Sequence, residues 1–122
     1  MEQLSIVHLQ KLLWEGQLEL KSTHFRLCYP IISRIYWKMR FGIEFQGIKV
    51  DGDLIIDGHH RYLASLIAGI SLDRYPSFRT SATEVSEWSI VRLETEDWET
   101  EDEIEEWNEK DACFGKDLRK VG

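Results

Sequence analysis

The sequence predicts an α+β fold: a small mixed sheet with helices packed on it, followed by an acidic strand and helix. Three observations carry that expectation. Apolar residues recur at helical spacing, change to a period of two over residues 43–50, and return to helical spacing after Gly58. Asp51-Gly52 stands between two branched apolar runs, a strong signal for a two-residue hairpin turn. The length of 122 residues and a hydrophobic fraction of 43% fit one domain with one core. Residues 1–80 are read as that core and residues 81–122 as an extension packed on the same domain.

Each element has its own local reason. Ser5 can cap a first helix in which Ile6, Leu9, Leu12 and Leu13 share a face, with Gly16 as its stop. After a polar connection, Pro30 suits the first turn of a second helix. Its apolar side carries Ile31, Ile35, Tyr36 and Met39, and Gly42 can end it. Ile43, Phe45, Ile48 and Val50 then read as a strand with a bulge at Gly47, and Leu54 to Ile56 as the return strand. A helix is expected from His59 to Ala68, burying Leu63, Leu66, Ile67 and Ile70, with Gly69 at its end. Tyr75 to Phe78 reads as a short strand that Pro76 confines to an edge. Ile90, Val91 and Leu93 suggest one more strand. Thr100 and Glu103 form the T-x-x-E box that opens a last helix, with Ile104 and Trp107 as its apolar contacts.

Charge and composition exclude several classes. A net charge of -7 argues against a general, sequence-blind DNA binder, which needs a basic face. The amino terminus lacks the basic start and apolar core of a signal peptide, and no apolar run reaches the ~18 residues of a membrane span. A cytoplasmic protein without a membrane partner is expected. Cys28 and Cys113 form no CxxC pattern; two packed reduced thiols are the expectation and one long-range disulfide the alternative.

The chemistry concentrates in residues 55–69, "IIDGHHRYLASLIAG". Gly58 permits a tight turn from strand to helix. The first-turn amides of a helix lack partners within it, and the dipole there favours negative charge. Gly58, His59, His60 and Arg61 therefore make a candidate phosphate site, with Arg61 charged at every relevant pH. Under a catalytic reading, His59 or His60 is the general acid–base group, and Asp57 orients a histidine or holds Mg²⁺. The plainer reading has Asp57 capping the helix and the histidines solvated. Adjacent histidines diverge on a helix, and no spacing brings His8, His24 or Cys28 to them, so no metal site is expected.

The stretch "DGDLIIDGHHRYLASLIAG" resembles the core of the ParB/sulfiredoxin superfamily, whose members share a hairpin, a glycine turn and an R-x-x-A-x-x-x-x-G helix. "YPIISRIYWKMRFG" and "IEFQGIKV" fall where such proteins place a helix and the first hairpin strand. The resemblance covers roughly residues 1–80 and is specific over 52–69. It implies nucleotide phosphates at the turn, with CTP, ATP or ADP as the candidate nucleotides. Partition proteins carry G-E-R-R there; Gly58 and Arg61 match. Sulfiredoxins carry G-C-H-R, and His59 stands where their reactive cysteine would be. Free-serine kinases carry D-G-H-T-R, matched at Asp57, Gly58, His59 and Arg61. The form D-G-H-H-R itself resembles small ParB-like nuclease members, some of them toxin domains, which implies phosphodiester cleavage or phosphotransfer.

Residues 84–111 hold thirteen acids against two bases. This is either a solvated face or a surface for a basic partner, with Trp88, Trp98 and Trp107 as aromatic anchors and Glu101, Glu105 and Glu109 among the carboxylates. Two functions follow: a nucleotide- or phosphate-binding protein, with or without catalysis, and a non-catalytic immunity or antitoxin-type protein that blocks a basic partner.

Overall fold

Ser5 begins the first element as the sequence leads one to expect. In the computed structural model, which describes residues 4–110, its Oγ accepts from the His8 N–H at 3.3 Å and opens helix α1, Ile6–Glu15. The Gly16 N–H closes that helix on the Leu12 carbonyl at 2.9 Å. Leu9 and Leu13 are its buried residues. The connection after α1 is more than a linker. Leu20 and Ser22 are buried, and Lys21 exchanges backbone hydrogen bonds with the hairpin: its N–H reaches Asp53 at 2.7 Å and its carbonyl accepts from Ile55 at 2.9 Å. Three residues, Arg26–Cys28, then form strand β1.

Helix α2, Tyr29–Arg40, starts where β1 ends, with Pro30 in its first turn. It buries Ile32, Ser33 and Met39. Met39 is buried as expected and Ile35 and Tyr36 are half-buried against the core, while Ile31 is only half-buried and Ile32 takes the fully buried place. Residues 43–47 are not strand. Strand β2 is Ile48–Asp51, and its register shift lies between Lys49 and Val50 rather than at Gly47. Gly47 has a different reason: a Cβ there would lie 2.3 Å from the Asp73 carbonyl oxygen. β2 pairs antiparallel with β3, Leu54–Asp57, across a turn whose two loop residues are Gly52 and Asp53, one position later than expected. Gly52 takes φ 61°, which suits the hairpin.

Helix α3 spans His59–Ala68 and ends on Gly69 at φ 72°. Its buried residues are His59, Tyr62, Leu63, Ala64 and Ser65; Leu66 and Ile70 are exposed. Helix α2 packs against α3. Strand β4, Arg74–Pro76, runs parallel to β2 and forms one edge of a three-stranded sheet of order β3-β2-β4. Pro76 therefore sits on an edge as its missing N–H requires, while Phe78 lies beyond the strand and is exposed.

The acidic extension returns to the front of the chain. A 3₁₀ turn, Trp88–Ile90, leads into β5, Arg92–Glu94, which pairs parallel with β1. Trp88 and Val91 belong to the same buried cluster as Leu9, Leu27, Ile32, Ile55 and Leu63. Trp88 is thus a core residue and not a surface anchor. The capping box forms: the Thr100 N–H donates to Glu103 Oε1 at 3.1 Å, and the Glu103 N–H to Thr100 Oγ1 at 3.2 Å. Residues 101–110 follow as helix α4. The molecule is therefore mixed α+β. No helix among the described residues is long and apolar enough to cross a membrane. Cys28 is buried with a free thiol, whereas Cys113 lies outside the described residues.

Candidate functional site

The turn between β3 and α3 depends on one glycine. Gly58 is the residue before the first turn of α3, at φ 101° and ψ 26°, a left-handed conformation that disfavours other residues. A Cβ there would meet Ile48 Cγ2 at 2.6 Å and Arg61 Nη2 at 2.9 Å. Gly58→Ala should therefore destabilise the fold by about 2–3 kcal/mol, from backbone strain and forced contact with Ile48. A urea midpoint unchanged by that substitution would refute this account of the turn.

The bare turn lets Arg61 fold back over it. Its Nη2 donates to the Gly47 carbonyl at 3.2 Å, tying α3 to the segment before β2. Asp57 Oδ2 is 3.9 Å away, a loose pairing. Arg61 Nε is buried without a partner. Asp57 does not cap α3: no side chain makes a cap hydrogen bond there, and Asp57 is the exposed last residue of β3. The first-turn amides of α3 thus lack side-chain acceptors.

The two histidines serve the fold first. His59 is 1% exposed. Its Nε2 accepts from the Thr23 N–H at 3.0 Å. The Thr23 hydroxyl, 3.3 Å from the same nitrogen, donates instead to the Ile55 carbonyl at 2.7 Å. A neutral ring that accepts at Nε2 carries its proton on Nδ1, and His59 Nδ1 is buried without a partner. His24 stacks on this ring at 3.9 Å, and Trp88 meets it edge-on. Burial, then His24 and His60, lower the His59 pKa to about 3. His60 Nε2 accepts from the Cys28 N–H at 3.0 Å, and Trp98 stands edge-on at 5.5 Å. Burial, then His24 and Arg61, lower its pKa to about 4. Both rings are neutral at pH 7, so Arg61 is the only cation of the expected trio. Neither Nε2 lone pair is free to take a proton while it holds a backbone amide.

The turn opens on a cavity of about 470 Å³. Asp57, Gly58, His59, His60 and Arg61 all line it. Ile31, Arg34, Ile35 and Lys38 of α2 form a second wall, and Glu44, Phe45 and Gln46 a third. Glu99, Trp107 and Lys110 of the acidic extension complete it. Arg34 is held by two carboxylates, bidentate on Asp97 at 2.5 and 2.9 Å and on Glu99 at 2.6 Å. These contacts raise the Arg34 pKa, Asp97 most of all, and Arg34 in turn lowers that of Asp97.

Of the residues singled out in the sequence, Asp57 to Arg61 and Trp107 meet in this cavity. Trp98 lies beside His60 but does not line it, and Glu101 and Glu105 are exposed on α4. Sequence reasoning missed Arg34, Phe45, His24 and Glu99. Arg34 sits at helical spacing from Ile31 and Lys38, but that places it on a face without saying what the face meets. Among the described residues no group of three His, Cys, Asp or Glu side chains is arranged to hold a metal ion. In a comparison with known proteins, no family model, no curated protein and no solved structure matches this chain.

Proposed function

We propose that this chain binds a small phosphate-bearing ligand of nucleotide size, with the phosphate at the amino end of α3, as the ParB/sulfiredoxin resemblance implies. One observation supports this most: donors without acceptors belong to neighbouring residues of one cavity. They are the uncapped first-turn amides of α3, the buried Nδ1–H of His59 and the buried Nε–H of Arg61. A buried unpaired donor costs about 1–3 kcal/mol, and because His59 Nδ1 and Arg61 Nε have almost no accessible surface, a side-chain shift toward a bound anionic oxygen would be needed to offset it. The cavity volume falls in the ordinary range for small-molecule sites, and Ile31, Ile35, Phe45 and Trp107 give it an apolar side suited to a base. Asp57, exposed at its rim, is the residue that would hold a Mg²⁺ accompanying the phosphates. Binding without turnover is the better-supported form. Each histidine spends its Nε2 on the backbone, which argues against a general-base role.

Arg61→Ala should weaken binding of CTP, ATP, ADP or inorganic phosphate by about 1.5–3 kcal/mol, roughly 10- to 150-fold. Titration calorimetry checks it; equal binding before and after the change, or none to begin with, would sink the assignment. A second reading, an immunity or antitoxin-type protein, is favoured by the exposed face of α4, which carries Glu101, Glu105 and Glu109, and by the partly exposed Trp98. That reading needs no ligand in the cavity, so the same titration separates the two.

A further inference from the structure

We propose that residues 96–99 form a latch in which Glu99 holds Arg34 in place of the ligand's anion, so that an anion entering the cavity competes with the docking of α4. This rests on the reading that the cavity takes an anion.

Each of the four latch residues touches an element that builds the site. The Cys28 thiol donates to the Glu96 carbonyl at 3.4 Å. Asp97 makes the bidentate pair with Arg34, Trp98 meets the His60 ring edge-on, and Glu99 takes Arg34 Nη2 at 2.6 Å. The next residue, Thr100, caps α4, which carries Trp107 and Lys110 to the cavity wall. The strap therefore sets where the far wall stands.

The two carboxylates on Arg34 are not equivalent. Asp97 accepts from both terminal nitrogens and also takes the Glu99 N–H at 3.0 Å. The Glu99 carboxylate makes one contact with Arg34, on the nitrogen that Asp97 already shares. Arg34 and Glu99 both line the cavity, while Asp97 does not. A guanidinium presents the same fork to phosphate as to carboxylate, so a phosphate oxygen can replace Glu99 on Nη2. Asp97 keeps Arg34 oriented during that exchange. Glu99 also sets a negative charge against any incoming anion. Its displacement removes the tie closest to the start of α4, so occupancy of the cavity loosens the helix that carries the acidic face.

The test compares intact protein with Glu99→Gln, which keeps the size of the side chain and removes its charge. Inorganic phosphate and ATP are titrated separately, by calorimetry and by tryptophan emission. Glu99→Gln is expected to bind ATP at least 10-fold more tightly than the original chain, and Arg34→Ala more weakly. Hydrogen exchange over residues 101–110 should quicken when ATP is added to the original chain. If ATP binds the original chain and binds Glu99→Gln equally or more weakly, the latch is wrong while the cavity reading stands. Slower exchange in α4 with ATP would likewise overturn the latch, because the ligand would then be closing the helix down. If neither chain binds either probe, the cavity reading fails, and the latch with it.

Discussion

Acidification from pH 7 to about 5 should remove roughly 4 kcal/mol of folding stability. The cause is the pair of histidines in the first turn of α3. In the unfolded chain each imidazole takes a proton near pH 6.5. In the folded chain His60 waits until about 4 and His59 until about 3, because burial disfavours the charged ring. Their neighbours add to this, His24 against both rings and Arg61 against His60. Below pH 6.5 the unfolded state therefore binds more protons than the folded one, and stability falls as pH falls, by about 1.4 kcal/mol per pH unit for each ring. The loss is absent above about pH 7 and complete below about 3. Its geometric counterpart is plain: an imidazolium has no lone pair, so protonating His59 breaks its bond from the Thr23 N–H, and protonating His60 breaks that from Cys28. Urea denaturation followed between pH 7.5 and 4.5 measures the slope. His60→Gln can still accept from Cys28 through its amide oxygen and should remove one ring's share of it. A stability that stays flat from pH 7 to 5 would show that these rings are not the buried neutral acceptors described.

The parts of this architecture that could be read in the sequence are those with local causes. Ser5 and Gly16 bracket α1, Pro30 opens α2, and Gly58 and Gly69 bracket α3; each acts within a turn of itself. The capping box at Thr100 belongs with them. β1 is different. Its three residues become a strand because Arg92 to Glu94 lie alongside, and nothing near Arg26 announces that partner. The alternation of Ile43 and Phe45 misled for the converse reason: a period of two makes a strand only where another strand accepts its bonds, and Phe45 lines the cavity instead. The buried face of α3 differs from the expected one because hydrophobicity alone ranks Leu66 and Ile70 above His59 and Ser65. Burial there follows from what surrounds the helix, namely α2 packed against α3, and Thr23, His24 and Trp88 around His59. At the site, Asp57 to Arg61 stood out because they are contiguous. Arg34 and Glu99 come from separate elements, and their meeting has no signature in spacing.

Trp88→Ala should destabilise the protein by about 4–6 kcal/mol, far more than truncation of Trp98 or Trp107. Truncating a buried tryptophan costs about 3–5 kcal/mol in lost burial and residual cavity. Trp88 is 8% exposed, stacks near Tyr62 and meets His59 edge-on, so the hole would open beside both. A second loss comes from Leu20, which is buried outside any strand or helix. Its N–H donates to the Tyr62 hydroxyl at 3.2 Å, and its carbonyl accepts from Trp88 Nε1 at 2.8 Å. Two aromatic side chains thus satisfy one peptide position in an irregular segment, a duty that regular structure performs elsewhere. Removing the indole strands the Leu20 carbonyl, at about 1–3 kcal/mol. Trp88→Phe isolates that second loss, since it restores most of the packing and none of the hydrogen bond. It should recover more than half of the stability lost in Trp88→Ala and still fall short of the original chain. Trp98 and Trp107 are 46% and 45% exposed, and their truncation should cost about 1 kcal/mol or less. Urea midpoints for the four variants at pH 7.5 decide it. If Trp88→Ala were no more damaging than Trp98→Ala, Trp88 could not be the residue that ties the acidic extension into the core, and its place as a surface anchor would have to be reconsidered.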